Sequence, residues 1–248
     1  MVCNLNKIHK KQIKLIKKSL NKYGLIFFRN QNLDPINYIK FAKKFGKLAK
    51  YPRLKGLSNY PQITVVQRKA TDKGPSFGEQ FHTDSSYTKK PPKFTMLLSK
   101  QVPKLGLANT EFSSQYLAYK DLHSKYKKKL STLSGIYSSQ GPIAITTVDR
   151  TKEKGKLKKE LIAKHKLIKK IKGKKTIYCS PGHLINFSEK NKKDLKLKKY
   201  LTNHQIKKKF QYSLEWEKDQ LAIWDNRSML HQATPFNGKR KMYRITIK

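Results

Sequence analysis

The fold of this chain can be predicted from the stretch Leu221-Ala222-Ile223-Trp224-Asp225-Asn226-Arg227-Ser228-Met229-Leu230-His231, in which an apolar run leads through a polar turn to a histidine. A short apolar run bounded by turn residues is typical of a buried strand. Similar runs, separated by Gly, Pro, Asn and Asp, predict strands at 63–66, 94–98, 110–112, 176–179, 220–224 and 242–247. This pattern predicts a core that is mainly β, a sandwich or jelly roll.

The first 60 residues show a different pattern, which predicts an α/β layer at the N-terminus. Apolar residues at helical spacing, Leu15 among them, predict an amphipathic helix at 8–20, and the run 25–28 predicts a buried strand. Asp34-Pro35 predicts the start of a second helix, because aspartate caps helices and proline suits their first turn. The apolar face of this second helix consists of Tyr38, Phe41, Ala42 and Phe45.

Two later segments interrupt the series of strands. A helix is predicted at 116–130. The segment 140–175 is a lysine-rich excursion, and its part 151–175 holds twelve Lys against two Glu, so it is interpreted as solvated, with a short helix at 157–164. The sequence shows no internal repeat and no long Pro/Gly linker. We therefore predict a single domain over 1–248, with 1–60 as its N-terminal layer.

The composition is that of a globular protein. Of the 248 residues, 37% are hydrophobic, including 13 Tyr and 11 Phe, which is enough apolar material for a core. No apolar run reaches the roughly 18 residues of a membrane span, and the first residues lack a secretory signal. The cysteines are Cys3 and Cys179 only, which excludes a disulfide framework. A soluble, cytoplasmic protein is therefore expected.

The formal net charge of +42 raises the alternative of a protein that binds nucleic acid. Two observations disfavour this as the main function. Only seven of the 57 Lys+Arg residues are Arg, the residue expected where bidentate contacts to phosphate or guanine matter. The lysines are also spread along the whole chain rather than clustered. A basic nucleic-acid- or anion-binding protein on the same fold, without turnover, is kept as the alternative.

A candidate metal site consists of His82, Asp84 and His231. Residues two apart in an extended strand point to the same face, so the side chains of His82 and Asp84 can converge. His231 follows the turn after the strand at 220–224 and is the third candidate. Two histidines and one carboxylate on one face of a metal, with the other positions open, are typical of non-haem Fe(II) oxygenases. The zinc motifs His-Glu-x-x-His and Cys-x-x-Cys are absent from the sequence.

Arg240 and Arg244 are two of the few arginines in a chain that otherwise uses lysine. Four residues apart in a predicted strand, they share a face. A planar guanidinium suits bidentate recognition of a carboxylate, so both are candidates for binding an organic acid; two surface cations are the alternative. His165 and His183 are not assigned to the site, because a lone histidine is more often simply packed or exposed.

Several short motifs resemble those of a known family when they are taken together. They are His82-Thr83-Asp84, Pro91-Pro92, Thr110-Glu111-Phe112, Ala118-Tyr119, Trp224-Asp225-Asn226-Arg227, His231 and the closing Arg240 and Arg244. In this combination and order they resemble the taurine/2,4-dichlorophenoxyacetate dioxygenase family, which are Fe(II)- and 2-oxoglutarate-dependent oxygenases. The resemblance covers nearly the whole chain and is weakest over 140–175.

The resemblance implies roles for single residues. The implied iron ligands are His82, Asp84 and His231. The implied 2-oxoglutarate-binding residues are Thr110 and Arg240, with Trp224 near the same pocket. Arg244 is implied to hold the anionic group of the substrate, and Tyr87 is predicted to line the substrate cavity.

The resemblance also implies the fold and the reaction. The implied fold is a double-stranded β-helix, a cupin-like jelly roll with flanking helices, in agreement with the strand prediction. The implied activity is hydroxylation of a small, anionic organic substrate. Fe(II) is the implied metal, 2-oxoglutarate and O2 are the implied cosubstrates, and succinate and CO2 are released. Neither nucleic acid nor a membrane is an expected partner, and the resemblance suggests a homo-oligomer.

Overall fold

The structure, a computed structural model, describes residues 4–51, 53–146, 152–153, 156–188 and 194–248. Within these ranges the α-helices are α1 Lys10–Tyr23, α2 Pro35–Lys43, α3 Gln115–Asp121, α4 Ser124–Thr132 and α5 Leu195–Gln205. Short 3-10 helices are present at Leu5–Lys7, Pro142–Thr146 and Lys208–Phe210.

The strands are short, as the spacing of the apolar runs predicts. In chain order they are β1 Leu25–Phe28, β2 Leu48–Ala49, β3 Gly56–Leu57, β4 Tyr60–Arg68, β5 Phe94–Gln101, β6 Thr110–Ser114, β7 Ser134–Ser138, β8 Lys152–Glu153, β9 Lys156–Leu157, β10 Ile162–Lys166, β11 Ile168–Ile171, β12 Lys174–Ile177, β13 Leu184–Phe187, β14 Gln211–Leu214, β15 Leu221–Asp225, β16 Met229–Ala233 and β17 Arg240–Ile247. Each of the strands predicted from sequence overlaps one of these.

The largest sheet has the strand order β1-β15-β5-β17-β4-β3, and β2 pairs beside β17. Its pairs are antiparallel. Neighbouring strands in this sheet lie far apart in sequence. Strand β1 near the N-terminus pairs with β15, for example, and β4 pairs with β17. The sheet therefore brings the two ends of the chain together.

Both faces of this sheet are buried, which explains why 221–224 is apolar throughout. Successive side chains in β15 point to opposite faces. Ile223 packs into a cluster with α1 and α2, which cover the outer face, whereas Ala222 and Trp224 pack on the inner face. The N-terminal layer is thus a cover of the main sheet, with buried Ile16 and Phe41 as contact residues.

A smaller antiparallel sheet, with the order β14-β6-β16, packs against the inner face of the main sheet. The interface contains residues of both sheets: Leu97, Phe112, Leu214, Ala222, Trp224, Met229 and Met242. Two antiparallel sheets packed face to face form the jelly roll that the sequence predicts.

The lysine-rich segment is less solvated than the sequence predicts. Strand β10 pairs with β7, β11 pairs with β12, and Leu167 between β10 and β11 is fully buried. The predicted short helix at 157–164 is wrong, because β9 ends at Leu157 and β10 begins at Ile162. Burial in β10 alternates, with Ala163 inside, as a strand on a core requires. Residues 147–151 and 154–155 of this segment lie outside the described residues.

Two helix predictions also need correction. The predicted helix at 116–130 is two helices, because Leu122 is extended and His123 caps α4 through the N–H of Lys125. Leu15 does not belong to the apolar face of α1: it is 43% exposed, whereas Ile16 is 6% exposed. Asp34 caps α2 as predicted, since its Oδ1 accepts from the N–H of Asn37 at 2.7 Å.

No helix in the described part of the chain is long and apolar enough to cross a membrane. The single-domain organisation stays a prediction.

Candidate metal centre

An isolated β-bridge holds His82 opposite His231. The backbone N–H of His82 donates to the carbonyl of His231 at 3.0 Å, and the N–H of His231 donates to the carbonyl of His82 at 2.9 Å. His231 lies in the middle of β16, whereas His82 stands alone before a turn. The two imidazole rings are consequently 4.3 Å apart between centroids.

Asp84 lies in a turn, so the extended strand that the sequence predicts at His82 and Asp84 is wrong. The turn forms because pairing ends at His82 and Ser85 adopts a left-handed φ of 48°. The carboxylate still converges with the histidines: its Oδ1 is 3.8 Å from Nε2 of His82 and 3.7 Å from Nε2 of His231. All three side chains are buried, with ligand atoms within 4.8 Å of one another.

The protonation states at this cluster suit a divalent metal. Desolvation lowers the pKa of His82 and of His231, so both imidazoles are neutral at pH 7. Nδ1 of His82 lies 2.7 Å from the Gln80 carbonyl, which places the proton on Nδ1 and leaves the Nε2 lone pair free. Burial opposes ionisation of Asp84, but Arg244, 2.9 Å from its Oδ1, holds the pKa of this carboxyl well below its usual range.

A hydrogen-bond chain orients the Asp84 carboxylate. The Thr95 hydroxyl donates to Oδ2 of Asp84 at 2.5 Å and accepts from Nδ2 of Asn226 at 2.9 Å. Asn226 in turn accepts from the indole N–H of Trp224 at 3.0 Å. Groups that fix a ligand in this way tune metal sites. Trp224, predicted to lie near the cosubstrate, is therefore also connected to Asp84 by hydrogen bonds through Asn226 and Thr95.

A first chamber of about 490 Å³ opens beside the cluster, and its lining includes His82, Asp84, Thr110, Trp224, His231, Arg240 and Arg244. At its polar end Thr110 Oγ1 accepts from the indole N–H of Trp216 at 2.9 Å and from Nη2 of Arg240 at 3.3 Å. Both lone pairs of the hydroxyl are then used, so its hydrogen is left to be donated. The Thr110 hydroxyl is thus set up to bind an acceptor in the chamber.

Arg240 is a buried cation for which the described residues provide no acidic partner. Burial lowers the pKa of Arg240 to about 10. Its Nε is buried without a hydrogen-bond partner, and its guanidinium faces the rings of Trp216 and Phe236. A buried, unpaired guanidinium is costly unless an anion binds to it. This end of the chamber therefore suits a carboxylate.

A second chamber, of about 390 Å³, shares Phe77, Gly78, His82 and Asp84 with the first and also contains Tyr87. Gly78 has a left-handed φ of 85°, and a Cβ there would lie 3.3 Å from Cε1 of His82. A residue larger than glycine at position 78 would therefore press against the imidazole ring of His82. Tyr87 lines this second chamber, and its role towards a substrate stays a prediction.

The structure thus brings together most of the residues predicted from sequence. Arg244 differs in part, because it pairs with Asp84 and lines the first chamber but not the second. Its guanidinium carbon lies 4.2 Å from the centre of the Tyr51 ring.

Sequence reasoning missed Trp216 and Arg53 and left His183 unassigned. Trp216 shares a face with Leu214 at the end of β14, which pairs with Thr110, so period-two spacing was a usable signal. Arg53 lines the second chamber and has no sequence signal beyond being one of few arginines.

The two histidines that the sequence left unassigned differ in position. His183 lines the second chamber, and burial lowers its pKa to about 3. Its Nδ1 lies 3.1 Å from the hydroxyls of Ser86 and Ser180. Nε2 of His165 instead lies 2.9 Å from the carbonyl of Ser86 and 3.0 Å from that of Thr88, which is a packing role.

Comparison with known families gives one match over nearly the whole chain. The profile described as "Taurine catabolism dioxygenase TauD, TfdA family" matches residues 3–246.

Individual proteins agree with this match. The alpha-ketoglutarate-dependent 2,4-dichlorophenoxyacetate dioxygenase of Burkholderia sp. (strain RASC) is 25% identical over 95% of this chain and 85% of its own length. The alpha-ketoglutarate-dependent sulfonate dioxygenase of Saccharomyces cerevisiae is 26% identical, over 85% of this chain and 53% of its own length.

Among solved structures, a taurine dioxygenase from Burkholderia xenovorans superposes with a TM-score of 0.81 at 22% identity, over 99% of this chain and 83% of that one. AAD-2 in complex with Mn(II) and N-oxalylglycine superposes with a TM-score of 0.80 at 21% identity, over 99% of this chain and 92% of that one. At such identities these structures establish the jelly-roll fold.

Proposed function

This chain belongs to the TauD/TfdA family of taurine catabolism dioxygenases, and we propose on this basis that it is an Fe(II)- and 2-oxoglutarate-dependent dioxygenase that hydroxylates a small organic acid. The observation that carries the proposal is the convergence of His82, Asp84 and His231 beside a chamber with an unpaired Arg240. The relatives named for a sulfonate and for a phenoxyacetate support an acid as the substrate.

The three ligand side chains fit Fe(II). Two neutral imidazoles and one ionised carboxylate on one side leave coordination positions open, as oxygen chemistry at non-haem iron requires. His82 and His231 would each provide an Nε2 lone pair. Asp84 would provide Oδ1, while Thr95 holds its other oxygen.

The polar end of the first chamber fits the distal carboxylate of 2-oxoglutarate. Arg240 supplies the charge, and Thr110 supplies a hydroxyl hydrogen that its other two hydrogen bonds leave free. Trp216 holds Thr110 in this orientation.

The metal supplies the oxidative chemistry, in which 2-oxoglutarate is converted to succinate and CO2 and an oxygen atom from O2 enters the substrate. This chain binds and positions the reactants. Arg240 and Thr110 orient the cosubstrate, and the apolar walls, with Leu97 and Met242, keep water out. Arg244 keeps Asp84 ionised. Its predicted role in binding the substrate anion, the substrate-lining role of Tyr87, the homo-oligomer and the cytoplasmic location all stay predictions.

The test is an anaerobic titration of purified protein with Fe(II) and then with 2-oxoglutarate, followed by visible absorption. The proposal expects the weak charge-transfer band of the chelated 2-oxoglutarate. His231→Ala should abolish the band, whereas His9→Ala, which removes an exposed histidine, should keep it.

Two outcomes would contradict the proposal. If metal binds but no band forms, the 2-oxoglutarate assignment is wrong. If no metal binds, the alternative of a basic binding protein on the same fold without turnover is favoured instead.

A further inference from the structure

We propose that Arg53 binds the anionic group of the substrate in the second chamber. This inference rests on the proposed function. Arg53 lines the second chamber, next to the predicted metal ligands His82 and Asp84. It is only 6% exposed, so its charge is directed into the protein rather than into solvent.

The hydrogen bonds of Arg53 leave donor capacity unused. Its Nη2 donates to the Ser139 hydroxyl and, at 3.1 Å, to the carbonyl of Lys159. Both are neutral acceptors, and no carboxylate in the described residues forms an ion pair with this guanidinium. Its Nε is buried and has no hydrogen-bond partner. A buried guanidinium with a free N–H is stabilised by a bound oxyanion, which supplies both the charge and the acceptor.

Arg244, the residue that the sequence predicts for this role, already has an acidic partner. Its guanidinium lies 2.9 Å from Oδ1 of Asp84, so a carboxylate balances its charge, although its Nε also has no hydrogen-bond partner. It also lines the first chamber rather than the second. The cation available to an acid in the second chamber is therefore Arg53.

The other walls of the chamber add a second hydrogen-bond donor and aromatic surface. Ser85 contributes a buried hydroxyl without a hydrogen-bond partner, which is a second donor for an oxyanion. Tyr51, Phe77 and Tyr87 contribute aromatic surface, and the Arg53 guanidinium carbon lies 5.8 Å from the centre of the Tyr87 ring. The apolar body of the acid would lie against this aromatic surface.

The test is calorimetric binding without turnover. Full-length protein is loaded with Mn(II) and N-oxalylglycine, a 2-oxoglutarate analogue, and titrated with propane-1-sulfonate, propanoate and phenoxyacetate. The variants are Arg53→Met, which keeps the length of the side chain but removes the charge, and Arg53→Lys, which keeps the charge but lacks the Nε donor. Arg29→Met is the matched control, since Arg29 is an exposed arginine paired with Glu217.

We expect Arg53→Met to weaken binding of the best probe acid by at least about 30-fold, with Arg53→Lys in between. Both variants should bind N-oxalylglycine within about twofold of wild type, because Arg240 and Thr110 are untouched. Arg29→Met should match wild type throughout. Ser139→Ala, which removes a tether of Arg53 but not its charge, should retain acid binding within about threefold.

Three results would overturn this proposal without affecting the proposed function. The first is an unchanged acid affinity in Arg53→Met, and the second is no binding of any probe acid to the loaded wild-type protein. The third is an equal loss of acid and N-oxalylglycine affinity in Arg53→Met, which would indicate a structural role for Arg53. If Mn(II)-loaded wild type fails to bind N-oxalylglycine at all, the proposed function itself is wrong and this inference falls with it.

Discussion

At the scale of single residues, Thr110 shows how neighbours determine what a side chain can do. A free threonine hydroxyl can donate or accept, but Trp216 and Arg240 both donate to this one. The remaining hydrogen is therefore directed away from them, as binding of an anion requires. Trp216 is thus a positioning residue, because it acts through Thr110.

Trp216→Phe should weaken binding of N-oxalylglycine to the Mn(II)-loaded protein by about fivefold, since the variant loses one hydrogen bond worth about 1 kcal/mol. In a Thr110→Ala background the same substitution should have no further effect, because the hydroxyl that Trp216 orients is absent. Calorimetric titration of the four proteins measures this coupling. Additive losses would show that Trp216 acts by packing rather than through Thr110.

His183 makes stability depend on pH. Burial lowers its pKa to about 3, so between that value and about 6.5 the unfolded chain binds a proton that the folded chain does not. Stability is therefore fully present above about pH 6.5 and falls as the pH drops. The contribution of His183 to this loss between pH 7 and pH 5 is about 2 kcal/mol. His183→Asn should remove this share, as measured by urea unfolding at both pH values; an unchanged pH dependence would contradict the assignment.

At the scale of elements, the helices of the N-terminal layer contribute mainly through one buried face. Helix α1 places Ile13, Ile16 and Leu20 against the main sheet, and Leu15 between them faces solvent. The helical period explains the difference, because residues three, four and seven apart share a face whereas adjacent ones do not.

Ile16→Ala should lower the free energy of unfolding by about 3 kcal/mol, because it leaves a cavity under α1. Leu15→Ala is the matched control and should cost less than about 1 kcal/mol, since this side chain is largely exposed. Urea denaturation of both variants measures the difference. Equal losses would mean that α1 does not pack on the sheet in the way described.

At the scale of the whole molecule, the net charge of +42 destabilises the folded state. Lysines placed around a compact protein repel one another, and the repulsion is relieved when the chain expands. Salt screens it, because the Debye length falls from about 20 Å at low salt to about 4 Å near 0.5 M.

Raising NaCl from about 20 mM to about 500 mM should therefore increase the midpoint of thermal unfolding by about 3 °C or more. Replacing the exposed residues Lys11, Lys14 and Lys18 of α1 by glutamate should reduce the effect, because each substitution removes two positive charge units. Differential scanning fluorimetry across the salt series is sufficient. A midpoint independent of salt would show that the lysines are too well solvated to repel.

The jelly roll and the family were predictable from sequence for local reasons, and both predictions are confirmed. Short apolar runs bounded by turn residues mark strands wherever a core lies beside them, so β5, β15 and β17 were recognisable. His82, Asp84 and His231 could be selected because few residue types bind metals. The helix predicted at 157–164 failed because pairing with β7, a contact distant in sequence, overrode local propensity.

The sequence by itself determined the residue types, their order and their local periodicity, and from these the strands and the candidate ligands followed. The 2-oxoglutarate-binding roles predicted for Thr110 and Arg240 came from the family resemblance. Tertiary structure alone decided which charges are balanced. Arg244 pairs with Asp84 whereas Arg53 has no carboxylate partner among the described residues, and no pattern distinguishes these arginines before the chain folds. The physical reason is that ion pairing and desolvation depend on distances between residues far apart in sequence, and only packing sets those distances.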